Sequence, residues 1–119
     1  MKFFPFIVSL LFFSIAWAED TPEVVTLHPI LTEMVQDLVG DSVVVKGILP
    51  ADANVHTFEP TPRNMIDMQK ATLVVAMGKH LEIYLDRLAE NLPESVEIYE
   101  AGRLVPSLQS NPKTAMFAC

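Results

Sequence analysis

A single cysteine in 119 residues, placed last as Cys119, excludes an internal disulfide and every paired-cysteine zinc or redox motif. Glycine is nearly as scarce, with four in the chain, and neither a glycine-rich phosphate cradle nor a Gly-x-Ser-x-Gly nucleophile turn occurs. Ser42, Ser95, Ser107 and Ser110 have no surrounding pattern that marks a nucleophile beside a general base. Positive charge is thin as well. Eight Lys and Arg stand singly among 15 Asp and Glu, so the clustered cations that grip a phosphate backbone are missing, and nucleic acid is not an expected partner. The surplus of carboxylates mainly keeps such a chain dissolved, and it chooses neither fold nor ligand.

A long apolar run is present only at the start. Lys2, the stretch Phe3 to Ile15 and the small-residue site Ala16-Trp17-Ala18 form the pattern of a secretory signal peptide, residues 1–18, with Glu19 as the expected new N-terminus. The run is shorter than the roughly 20 residues a membrane-spanning helix needs. Losing Lys2 moves the formal charge from −7 to −8. No cysteine stands at the cleavage site to accept a lipid, so a soluble exported product is expected. An unpaired terminal cysteine in such a product reads either as a free or intermolecular thiol or as a sequence that stops early, and the latter is favoured.

Beyond the leader, hydrophobic periodicity alternates between two kinds of element. Val24-Val25-Thr26-Leu27 reads as a buried strand. Pro29 suits the first turn of a helix, and Ile30, Leu31, Met34, Val35 and Leu38 recur at helical spacing up to Val39, with Gly40 just past the end. Val43 to Ile48 is a second strand, and Leu49 to Pro60 a loop of functional length. Thr61 caps and Pro62 opens a helix running to Ala71. Thr72 to Met77 is a third strand, Leu81 to Leu92 an amphipathic helix, and Val96 to Tyr99 a fourth strand. Gln109 to Lys113 looks like linker or loop. Strands alternating with helices at these lengths predict a doubly wound α/β lobe with a mostly parallel sheet and right-handed crossovers.

That arrangement has a consequence for the three histidines. His28 follows the first strand, His56 the second and His80 the third, which places them all at the carboxyl edge of the sheet, where open α/β folds bind ligands. A neutral imidazole is the commonest protein ligand for a transition metal, so His56 is the first candidate metal ligand, with His80 and His28 behind it. Two have a plainer reading: His56 as a solvated loop residue and His28 as a helix-entry residue packing against the loop. Glu82 is expected either to orient an imidazole or to favour the positive end of the following helix, and Glu59 either to support the metal site or to brace the loop. Six methionines invite a soft-copper reading, but Met34, Met65 and Met68 fall on apolar helix positions and are expected in the core.

Taken together, these residues resemble the periplasmic metal-binding proteins of zinc and manganese ABC importers, the cluster A-I solute-binding family. The resemblance runs from about Glu23 to Ala101. It rests on Thr26-Leu27-His28-Pro29-Ile30, the Val39-Gly40-Asp41 turn, Val55-His56-Thr57-Phe58-Glu59-Pro60-Thr61-Pro62, Lys70-Ala71-Thr72-Leu73-Val74-Val75, Gly78-Lys79-His80-Leu81-Glu82 and Tyr84-Leu85-Asp86-Arg87-Leu88. The resemblance implies two α/β lobes joined by a long helix, of which residues 19–119 would be the N-terminal lobe. It also implies a metal ion held between the lobes and passed to a membrane permease, a periplasmic location and a monomer when complete. His56 matches the family's first ligand. The family's other ligands would lie beyond Cys119, so this length of chain is expected to hold Zn²⁺, or alternatively Mn²⁺, only weakly. No enzymatic activity is expected. A metal-dependent hydrolase and an exported adhesin-like module are the competing readings.

Overall fold

The computed structural model describes residues 21–108. The predicted signal peptide, the linker at Gln109 to Lys113 and Cys119 lie outside the described residues.

Four short parallel strands form the centre: β1 (Glu23–Thr26), β2 (Val44–Gly47), β3 (Leu73–Ala76) and β4 (Glu97–Glu100), in the spatial order β2-β1-β3-β4. Helices α1 (Pro29–Val39), α2 (Pro62–Lys70) and α3 (Leu85–Asn91) make the connections, and a 3-10 turn at Gly40–Ser42 follows α1. The doubly wound parallel sheet expected from the alternation is therefore present. Strand order reverses between β1 and β3, because the chain leaves β1 toward β2 and later returns past β1 to β3.

Period-two alternation divides the apolar residues between the sheet's two faces. Val25, Val74 and Ala76 pack with Met68 of α2 and Leu88 of α3 in the larger cluster, while Val24 and Val75 pack with Leu31 of α1 in the smaller one. The central strands are buried and the edge strands are half-exposed, which accounts for Tyr99 and Val44 at the surface.

Both longer helices start as the sequence indicates. Pro stands in the first turn of each, and α2 carries a reciprocal capping box in which Thr61 Oγ1 accepts the Asn64 N–H and Asn64 Oδ1 accepts the Thr61 N–H. At Gly40 a φ of 57° lets the chain leave α1. Gly47 has no room for a side chain: a Cβ there would lie 2.6 Å from Thr32 Oγ1. That threonine also meets buried Thr26 through a 2.6 Å hydroxyl contact, pinning α1 to the carboxyl end of β1.

Two expectations are corrected. The helix predicted from Leu81 to Leu92 begins only at Leu85, because Lys79 and His80 hold positive φ and the chain needs residues up to Tyr84 to recover a helical direction. The second concerns α1, where Leu31 is buried and Val35 packs against the smaller cluster, but Ile30, Met34 and Leu38 are 55%, 56% and 83% exposed. Helix α1 lies against β1 and β2 and buries its Leu31–Val35 side, leaving the flank that carries these residues exposed. Met34 is thus at the surface, whereas Met68 is fully buried and Met65 packs against the main cluster.

Candidate functional site

Parallel strands put every strand-to-helix loop on one edge, so the residues after β1, β2 and β3 share the carboxyl rim of the sheet. All three histidines belong to those loops, as the alternation implies, but they play different local parts.

His28 is the N-cap of α1. Its extended backbone (φ −140°, ψ 139°) frees the ring to turn back, and Nδ1 accepts the Ile30 N–H at 3.3 Å. The ring nitrogen engaged in this contact is already serving the helix end. The helix-entry role accounts for this residue.

His80 sits in the loop between β3 and α3, the most constrained segment of the rim. Gly78, Lys79 and His80 have φ values of 75°, 59° and 63°, a left-handed run that L side chains rarely adopt. The carboxylate of Glu82, 3% exposed, sits at its centre: Oε1 accepts the Met77 N–H at 2.8 Å and Oε2 the Gly78 N–H at 2.9 Å. Successive N–H groups in such a turn form a small anion-binding concavity, and Glu82 fills it. Glu82 therefore braces the turn, and neither expected role, orienting an imidazole or favouring the helix end, describes its bonds. Lys79 secures the other side, its Nζ donating to Val105 O at 2.6 Å and Ser107 Oγ at 2.9 Å. His80 is exposed and lines an open cavity of about 650 Å³ together with Lys79, Arg103, Asp86 and Glu100. The cations Lys79 and Arg103 share this lining with the carboxylates Glu82, Asp86 and Glu100, so its charge is mixed.

His56 occupies the long loop between β2 and α2. Its backbone N–H donates to Asn54 Oδ1 at 2.9 Å, while Asn54 O accepts from Thr57 N at 3.2 Å and Phe58 N at 3.0 Å, so Asn54 folds a local turn beneath the histidine. The imidazole is exposed. Phe58 reaches inward to the main apolar cluster and meets the Tyr84 ring edge-on, with centroids 5.9 Å apart at 66°. Beyond it, Glu59 Oε1 lies 3.5 Å from Arg87 Nη2 on α3, so of its two expected roles Glu59 takes the bracing one.

Tyr84 is the residue the sequence reading passed over. It is 3% exposed and its hydroxyl has no hydrogen-bond partner among the described residues. Burial, reinforced by the nearby Glu82 charge, pushes its pKa up to about 12. Its placement within Gly78-Lys79-His80-Leu81-Glu82-Ile83-Tyr84 gave no signal that its ring would reach a loop following another strand.

Among the described residues, no group of three or more His, Cys, Asp and Glu side chains is arranged to hold a metal ion. The rim of this chain offers donors one at a time. His56 is the imidazole that is exposed there without a capping role or flanking cations in its turn.

A family model described as "ZnuA: Zinc-uptake complex component A periplasmic" matches residues 24–115. The iron-binding protein YfeA of Yersinia pestis is 31% identical over 86 residues, a match covering 66% of this chain and 28% of that protein. The high-affinity zinc uptake system protein ZnuA of Paracoccus denitrificans is 30% identical over 79 residues, covering 66% of this chain and 24% of that one. Among solved structures, the Mn-bound periplasmic metal binding protein of Candidatus Liberibacter asiaticus superposes with a TM-score of 0.69 at 22% identity, over 78% of this chain and 35% of that one. The metal-dependent lipoprotein YcdH of Bacillus subtilis gives 0.70 at 21% identity, over 74% and 34%. At such identities the structural likeness concerns the fold. This chain spans about a quarter to a third of the length of these relatives.

Proposed function

Because this chain belongs to the family of periplasmic zinc-uptake component A proteins, we propose that residues 19–119 form the N-terminal lobe of a solute-binding protein. That protein would deliver a divalent transition metal to the permease of an ABC importer. The observation that carries this reading is the family match across residues 24–115, which contains all of the sheet but its first residue, Glu23, and the histidine-bearing rim. The apolar leader at residues 1–18 supports export to the periplasm by a cleaved signal peptide. Among the described residues no helix is long and apolar enough to cross a membrane.

His56 is the metal ligand in this reading. Its support is its place on the carboxyl rim and the spare lone pair of an exposed imidazole. The relatives carry names for iron, zinc and manganese, so the ion follows from donor chemistry: imidazole suits Zn²⁺, whereas added carboxylates and water would favour Mn²⁺. Zinc is the proposed cargo. A closed zinc site takes four ligands, and one imidazole from this chain with water in the other positions holds the ion only weakly. The role in this reading is binding and release.

Zinc titration by calorimetry tests the assignment. His56→Ala is expected to weaken binding at least about ten-fold, a loss of roughly 1.4 kcal/mol or more. His28→Ala is expected to leave zinc affinity in place and instead cost about 1 kcal/mol of stability through the lost helix cap. Equal zinc affinity in the His56→Ala and unsubstituted chains would remove the assignment.

A further inference from the structure

The hydrogen bonds within the His56 loop shape a turn without saying where on the molecule that turn sits. Asn54 accepts from His56, Thr57 and Phe58, all within the same short segment. The connection to the rest of the fold is made by Phe58, whose ring packs on the main apolar cluster and against the edge of Tyr84. Tyr84 in turn precedes the first residue of α3 and stands two positions after Glu82, whose carboxylate grips the Met77 and Gly78 N–H groups. Its position is set by the strained turn below it. Glu59 and Arg87 meet on the outside of the same contact, but their side chains are 73% and 69% exposed, so solvent screens the pair and it adds direction more than strength.

We propose that the start of α3 is the seat of the metal-binding loop, with Phe58, lodged against Tyr84, as the positioning residue that holds His56 at the rim for a divalent transition metal ion. This rests on the reading of His56 as a ligand. Phe58 is two residues from His56, so fixing its ring restricts the arc the imidazole sweeps. A donor held in place before the ion arrives loses less freedom when the ion binds. The turn built around His80 then acquires a use despite offering no metal site of its own: its buried carboxylate and left-handed backbone hold Tyr84, and Tyr84 receives Phe58.

The test uses the full 119-residue chain, isotope-labelled, with zinc chloride titrated against the His56 ring resonances and backbone relaxation measured from residue 53 to 59. Phe58→Ala is expected to raise the zinc concentration for half-saturation about ten-fold, in the range typical for loss of a group that orients a ligand. It is also expected to increase nanosecond mobility at His56. Phe58→Tyr, which keeps the ring, is expected to restore both. Should Phe58→Ala fail to fold, Phe58→Leu keeps apolar volume without the aromatic edge and is expected to shift both readouts the same way. Wild-type half-saturation and mobility in the folded Phe58→Ala or Phe58→Leu chain would overturn the seat. His56→Ala, followed through the backbone amide shifts of residues 53 to 59, separates the two ideas: if it abolishes the zinc-induced amide shifts while the Phe58 variants titrate as wild type, only the seat falls. If His56→Ala leaves the zinc response intact, the ligand reading falls and the seat with it.

Discussion

Between β2 and α2 the chain is shaped by a neutral side chain, Asn54, and tied down by one aromatic ring, whereas between β3 and α3 it is held by a buried carboxylate and a lysine strap. Both loops rise from the same edge and both carry a histidine. The second loop accepts three successive positive φ values to keep its shape, and the first has none. Such strain persists only where surrounding bonds over-determine the backbone. The contrast teaches that two loops on one edge can be fixed by different means and still meet: Tyr84, two residues beyond the Glu82 that locks the second turn, packs against Phe58 of the first.

The comparison breaks most severely at Glu82. Replacing it with Ala strips buried Gly78 N–H and part-buried Met77 N–H of a charged acceptor, which is expected to cost about 3–5 kcal/mol in urea unfolding. Glu82→Gln, which retains one acceptor oxygen, should lose about half of that. If Glu82→Ala were as stable as the unsubstituted chain, the constrained character assigned to the second loop would be wrong.

Alkaline pH strikes both loops at once, because Tyr84 belongs to one and packs against the other. Its folded pKa of about 12 exceeds the ordinary 10, so the folded state binds the phenolic proton more tightly than the unfolded chain does. Stability from this group is full below pH 10 and is lost as pH rises from 10 through 12, a loss on the order of 1–2 kcal/mol after solvent screening. Tyr84→Phe should flatten that window at little cost near neutrality, since the hydroxyl it removes has no described partner. Urea midpoints measured across this pH range decide it.

The smallest effect sharpens the contrast. His80→Gly is expected to stabilise the protein by about 1 kcal/mol, because glycine adopts a φ of 63° without the penalty of a Cβ. The same change at His56, where φ is not positive, should bring no gain. Thermal unfolding of the two variants side by side would show whether the strain lies where the backbone angles place it.

Much of the fold was legible in the chain. Pro29 and Pro62 fixed helix starts because their φ and missing N–H suit the first turn, and the apolar run Val24-Val25-Thr26-Leu27 marked a buried strand. Less of the site could be read. Glu82 was expected to orient an imidazole or to favour the positive end of a helix, and nothing local revealed that its side chain would fold back onto the Met77 and Gly78 N–H groups. Helix α1 misled in the opposite direction: Ile30, Met34 and Leu38 keep the spacing of a buried face, yet burial depends on what lies opposite.

The sequence by itself settled the alternation of strand and helix, and with it the parallel sheet and the gathering of His28, His56 and His80 on one rim, because periodicity and turn chemistry act over a few residues. Tertiary structure decided that the His56 loop is anchored through Phe58 against Tyr84, with Glu59 facing Arg87 outside that contact. Those outcomes depend on groups that are distant in sequence and meet only when the sheet brings its loops together.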